Sequence, residues 1–349
     1  MPVHNGRLDD KMKLKYLVSA AALFFLLSYI GVWLSMILLD KHKTAESISK
    51  PPMSVSVPSK PSGAAEEMAS GDIIDPSSSE APQNDLFAKS GFEISDTTVY
   101  PGEYLVLTAY GIESPDGITI QNPFGKAPQF FKADGHLTAL LPVKYTYEPG
   151  EYMLTAEGGG YNEMFAISLL PKEWQTQNLT VNESVTSETI ESTEANNEYF
   201  SKVQPKKALF EAAPMWEDAF IQPVEGRITT EFGMLRTVNG VPSDRHGGVD
   251  IAAERGTPIK AANSGRVLFA EKIALTGNTV CIEHGLGLKT WYYHMDSLDV
   301  KTGDMVHKGQ TIGTVGSTGF STGPHLHWAA SVFDVYINPW TLIAAAPQL

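Results

Sequence analysis

The chain has one cysteine, Cys281, among its 349 residues. No intrachain disulfide is open to it, and no metal can be held by a thiolate cluster. Cys281 stands in the apolar run NTVCIEHG and reads as a buried core residue rather than a nucleophile. Basic side chains are scarce as well: 26 Lys and Arg face 40 Asp and Glu, for a formal net charge of −14. The deficit lies in residues 44–219, which carry 26 acidic and 10 basic side chains, whereas residues 220–349 carry 11 and 10. Such a chain lacks the positive surface that nucleic-acid phosphates require, so no nucleic-acid partner is expected. There is no H-E-x-x-H, which removes the helix-borne zinc motif with its glutamate base. From residue 220 onward helix-period patterns are scarce, and mostly antiparallel strands are expected there.

Only one long uncharged apolar run is present, the 24 residues Tyr16–Leu39, YLVSAAALFFLLSYIGVWLSMILL. That length suffices to span a bilayer as a helix. It continues as DKHK with no small-x-small cleavage site, so an uncleaved anchor is expected rather than a signal peptide. Arg7, Lys11, Lys13 and Lys15 precede it. By the positive-inside rule residues 1–15 are a cytoplasmic tail, 16–39 the single span, and all that follows is extracytoplasmic. Residues 40–90, rich in Ser, Pro and Ala with no hydrophobic period, read as a flexible linker.

Beyond the linker the chain reads as mainly β. In residues 91–170, runs such as EYLVLTA, HLTALLPV and EYMLTAE alternate with the turn signals YPGE, SPDG, NPFG and EPGE. That spacing suggests a small immunoglobulin-like β-sandwich. Residues 171–219 are a polar, acidic connector whose PMWEDAF segment can pack onto the next domain through Trp216 and Phe220. Residues 220–349 alternate Gly-rich turns with runs such as GRVLFAEK, LKTWYYHM and HLHWAASVF.

Six of the nine histidines fall in residues 220–349. His325 and His327 stand two apart in TGPHLHW. On a strand, residues i and i+2 share a face. In RHGGVDIA, Asp250 follows His246 by four residues, which a straight strand would separate by roughly 13 Å. A shared metal therefore demands a bend, and Gly247-Gly248 can supply one. Two imidazoles and one carboxylate are a catalytic zinc set with a fourth position left open. His246, Asp250 and one member of the H-x-H pair complete it; the other imidazole would lie beside the metal and handle protons or a developing oxyanion. His284 reads as a strand-end or turn residue, His307 as exposed, and Asp296 and Asp299 as solvated.

The segments RHGGVDIAAERGTPIKAANSGRV, GNTVCIEHGLGLKTWYYHMDSL, VKTGDMVHKGQTIGTVGSTG and STGPHLHW, in that order over about residues 220–340, resemble the lysostaphin/LytM-type zinc endopeptidases of peptidoglycan. The resemblance implies a LytM-type peptidase domain over 220–349 with one Zn2+. It implies His246, Asp250 and His327 as ligands, and His294 and His325 as active-site histidines that do not bind the metal. The implied substrate is the stem peptides or cross-bridges of the bacterial wall. The implied place is the outer side of the cytoplasmic membrane, held there by the N-terminal helix, with an envelope protein as a further partner. The alternative is a non-enzymatic scaffold or activator of another wall hydrolase; relatives of that kind typically lack some of the five residues, all of which are present here. VKTGDMVHKGQTIGTV is also similar to a biotinyl or lipoyl half-motif, but the hairpin-tip lysine those carriers need is missing. A cupin reading of H-x-H lacks its glutamate.

Overall fold

The computed structural model describes residues 89–349. The expected anchor at 16–39, its cytoplasmic tail and nearly all of the linker lie outside the described residues. Among the described residues no helix is long and apolar enough to cross a membrane. The mainly β character expected from the sequence is what the described residues show.

Residues 91–169 fold into two four-stranded sheets. One runs, in spatial order, Gly91–Ile94, Tyr104–Tyr110, His136–Pro142, Phe131–Ala133; the other Thr98–Val99, Tyr161–Leu169, Gly150–Gly158, Thr119–Gln121. Leu105, Leu107, Leu137, Ala139 and Leu141 of the first sheet share a core with Leu154, Ala156, Ile167 and Leu169 of the second. The second sheet buries one face only, and its strands alternate in exposure. The first sheet is buried on both: the five inner residues of Tyr104–Tyr110 and of His136–Pro142 are all covered. Its second face, through Val106, Phe131 and Leu140, belongs to the same core as Phe232, Val249 and Trp328 of the C-terminal domain. That is why YLVLTAY reads as a continuous apolar run and EYMLTAE as an alternating one.

The connector is more structured than its polar composition suggests. Thr176–Leu179 forms a strand parallel to Leu235–Val238. Three short helices follow: Glu183–Glu188, Thr193–Lys202 and Gln204–Lys207. The Asn182 side chain caps the first and the Ser192 side chain the second, each accepting from a backbone N–H of the first turn. These caps satisfy donors that a helix start leaves orphaned. Trp216 packs against the C-terminal core and Phe220 is buried in it.

The C-terminal domain is organised on an eight-stranded sheet. Its order is Arg227–Thr230, Val249–Ala252, His325–Val332, Leu288–Met295, Gly277–Glu283, Gly265–Ile273, Met305–Val306, with Val335–Ile337 added beside His325–Val332. Every pairing in it is antiparallel. Cys281 is fully buried, and burial pushes its thiol pKa up, which suits the core role. His284 lies just past the end of the strand Gly277–Glu283, as expected, and is fully buried, Nδ1 to the Ser264 carbonyl at 2.8 Å and Nε2 to Thr290 Oγ1 at 2.7 Å. Burial, only partly offset by the Ser264 carbonyl, lowers its pKa to about 4. The unfolded chain therefore binds a proton at this residue below pH 6.5 that the folded chain refuses until about pH 4. The neutral ring's contribution is complete above pH 6.5 and is lost as pH falls toward 4, by about 3 kcal/mol. Melting temperature should fall over that window, and a His284→Gln variant should show a shallower fall; equal slopes would refute the assignment.

Candidate metal centre

Register places the acid opposite the histidine. In the antiparallel pair Val249–Ala252 with His325–Val332, Asp250 stands across from His327 and Ala252 across from His325. Residues directly opposite share a face, so Asp250 and His327 meet. His246 lies just before the strand, where its N–H and C=O bond to Met234 and Gly233. The bend expected at Gly247-Gly248 is made without a left-handed backbone angle at either glycine. Gly248 is needed for space instead: a Cβ there would lie 2.8 Å from His327 Nε2 and 2.5 Å from the Trp328 carbonyl oxygen.

The three residues bring one donor atom each to a common point. His246 Nε2 and His327 Nδ1 are 2.8 Å apart, and Asp250 Oδ1 is 2.9 Å from both. His246 Nδ1 lies 3.0 Å from the Glu231 carbonyl. A carbonyl only accepts, so Nδ1 carries the proton and Nε2 offers a lone pair. Asp250 Oδ1 also offers lone pairs. With both rings neutral, at most one proton, on His327 Nδ1, can enter the triangle, and two lone-pair corners remain 2.9 Å apart. That arrangement fits a cation and is poorly satisfied without one. Burial by itself would raise the Asp250 pKa, but the two imidazoles beside it outweigh this and hold the carboxyl well below the usual range. Burial, with His246 nearby, lowers His327 to about 4. Ligands already deprotonated at neutral pH are what a metal site requires.

His325 and His294 stand outside the triangle. His325 Nδ1 donates to the Gly323 carbonyl at 2.8 Å, and its Nε2 is 3.8 Å from Asp250 Oδ1. His294 Nδ1 donates to the Thr318 carbonyl at 2.8 Å. The two rings are 4.9 Å apart. Strict alternation would aim His294 away from the site, because its neighbour Tyr293 is the residue paired with His327. Tyr293 does face His327, the rings stacked at 5.2 Å and 15°. A φ of 62° at His294 breaks the alternation and turns it to the same groove. Left-handed backbone at a non-glycine residue is uncommon and costs about 1–3 kcal/mol, and such residues cluster at functional sites. Burial, reinforced by His325 and His327, lowers the His294 pKa to about 3, so its ring is neutral at pH 7.

All five residues line a groove of about 280 Å³ except His246, which is buried beneath it. Phe320–Pro324 forms one wall. Four contributing residues were not anticipated from sequence. Arg236 Nη2 donates to Asp250 Oδ2 at 2.9 Å. Gln177 and Leu179 of the connector strand line the groove. Tyr293 fixes the plane of the His327 ring; it sits inside YYHM, next to a residue already singled out. Arg236 and Gln177 carried no motif signal. His307 is exposed, as expected. Asp296 is not merely solvated, since Arg255 pairs with it.

Comparison with known proteins bears on this domain. The profile of Peptidase family M23 matches residues 244–339. The chain is 40% identical over 104 residues to the DD-carboxypeptidase/endopeptidase Mpg of Neisseria meningitidis, covering 30% of this chain and 24% of that one. It is 45% identical over 97 residues to the peptidoglycan DD-endopeptidase ShyC of Vibrio cholerae, covering 28% and 22%. The chain thus spans under a quarter of the length of these curated relatives. A crystal structure from Pseudomonas aeruginosa described as an M23 peptidase aligns at TM-score 0.50 and 25% identity, over 71% of this chain and 96% of that one.

Proposed function

Because residues 244–339 match the profile of Peptidase family M23, we propose that the protein is a zinc-dependent endopeptidase of that family that hydrolyses peptide cross-links of bacterial peptidoglycan. The observation that carries the reading is the pairing of a three-atom donor triangle with two further imidazoles on one groove. His246 Nε2, His327 Nδ1 and Asp250 Oδ1 would hold one Zn2+; two imidazoles and a carboxylate suit that ion and leave a position open. When bound, zinc supplies Lewis acidity to polarise an amide carbonyl and to generate a nucleophile at neutral pH.

The remaining work falls to the chain. His325 and His294 each commit Nδ1–H to a backbone carbonyl, which leaves Nε2 as the reactive nitrogen. In that tautomer His325 Nε2 takes up a proton released on attack. Once protonated, the same nitrogen can donate to the oxyanion or to the leaving amine, which an amide needs in order to depart. Phe320–Pro324 and the connector strand border the groove in which an extended peptide would lie.

The proposal extends to the rest of the protein. The N-terminal apolar run anchors the chain in the cytoplasmic membrane with the peptidase outside. The two-sheet domain is an immunoglobulin-like spacer, and the substrate includes the stem peptides or cross-bridges of the wall. Names of relatives that act on DD bonds support a D,D cross-link as the scissile bond. The test is to incubate the purified chain with peptidoglycan, beside a His327→Ala sample, and to identify released fragments by mass spectrometry. New amine and carboxyl ends absent from the variant are expected. Zinc at full occupancy with no release from any wall preparation would instead favour a scaffold.

A further inference from the structure

Asp250 has two carboxylate oxygens, and only Oδ1 faces the triangle. Oδ2 is occupied by the Arg236 guanidinium. That guanidinium is itself largely covered, its side chain 17% exposed, so its donors need partners within the protein. Arg236 Nε donates to Gln177 Oε1 at 3.1 Å. The other end of the same amide, Gln177 Nε2, donates to Thr230 Oγ1 at 2.8 Å. The two bonds fix which way the amide faces, oxygen toward the arginine and nitrogen toward the threonine. The Gln177 backbone is held in turn, because the parallel register sets it beside Arg236 itself.

We infer that Gln177 is a positioning residue for the metal centre, holding Arg236 against Asp250 so that a single carboxylate oxygen is presented to the ion. The connector strand, which lies outside the matched residues 244–339, is therefore part of the site and not only a tether. Without the Gln177 amide, Arg236 Nε loses its acceptor and the guanidinium can swing toward the groove. Asp250 is then free to rotate, and the triangle loses one fixed corner. Partners that orient a metal ligand typically contribute 10–100-fold to metal affinity or activity.

The inference rests on the triangle being a metal site, as proposed above, but not on which bond is cleaved. Its test is Zn2+ affinity of the full chain, measured by competition with a chromogenic chelator, together with the absorption spectrum of the Co2+-substituted protein. Gln177→Leu should weaken Zn2+ binding about 10–100-fold and perturb the Co2+ spectrum. Gln177→Glu, which keeps an acceptor for Arg236 and can accept from the Thr230 hydroxyl, should stay close to the parent in both. Turnover of Gln177→Leu should recover as zinc is raised to saturation. Parental affinity and spectrum in Gln177→Leu would overturn the inference. So would raised turnover at parental affinity, which would mean that the strand obstructs the groove. Should Gln177→Leu fail to fold, Gln177→Asn serves: its shorter side chain cannot reach both Arg236 and Thr230, and parental affinity in that folded variant would overturn the inference equally. Zinc-loaded protein that cuts no wall preparation would refute the proposed activity while leaving the affinity comparison intact.

Discussion

His246→Ala or His327→Ala will strip the metal from the protein and take hydrolysis with it. Each removes one corner of a triangle whose edges are 2.8 and 2.9 Å. Neither leaves a third donor in the triangle, because His325 Nε2 stands outside it, 3.8 Å from Asp250 Oδ1, and its other nitrogen is tied to Gly323. A catalytic ion contributes several kcal/mol of charge stabilisation, so a loss on the order of 10³-fold in kcat/KM is expected. Metal content by atomic emission after dialysis should drop to background in both variants. His246 is buried and bonded to the Glu231 carbonyl, so a melting curve must accompany the measurement. A folded variant that retains both metal and activity would break the ligand assignment.

His325→Ala should part the two properties that the ligand variants lose together. The ring lies outside the triangle, so metal content should equal that of the parent. Turnover should fall by 10²–10⁴-fold, the usual contribution of a positioned acid–base group, with the effect in kcat rather than in KM. His294→Gln should behave alike, since that ring too presents Nε2 to the groove while Nδ1 bonds the Thr318 carbonyl. Full activity in His325→Ala would defeat the proton-handling role. Loss of metal would make His325 a ligand and demand a different geometry. The same pair of measurements separates an enzyme from a scaffold: in a scaffold His325→Ala would change neither property.

Much of this site was legible because its residues are local in sequence or obey a short period. H-x-H on a strand implies one face whatever the fold, and RHGGVD places an acid four residues from a histidine. The purpose of Gly248 was not legible. Conformational freedom was the expected reason, yet the reason is the approach of His327 and Trp328, which only the paired strand brings near. His294 illustrates the limit of periodicity. Alternation from Tyr293 aims it the wrong way, and a single left-handed residue reverses that. The place of His284 at a strand end was legible, but its burial was not: its ring is consumed by two hydrogen bonds inside the core. The connector's helices escaped notice because they are 4 to 10 residues long. Segments that short give too few turns for an apolar stripe to show, and their stability comes from packing rather than propensity.

What the sequence by itself determined is the chemistry available: imidazoles and a carboxylate without thiolates, on strands, at spacings that suit a metal. Those features depend on residue type and on the fixed two-residue period of a strand, which need no knowledge of the fold. Tertiary structure alone decided which side chains support that chemistry. Arg236 reaches Asp250 across a turn and two sheets, Gln177 reaches Arg236 from the connector, and the first sheet of the sandwich closes the core beneath them. Such contacts follow from register between strands distant in the chain, and register is fixed by the packing of whole faces rather than by any short stretch of residues.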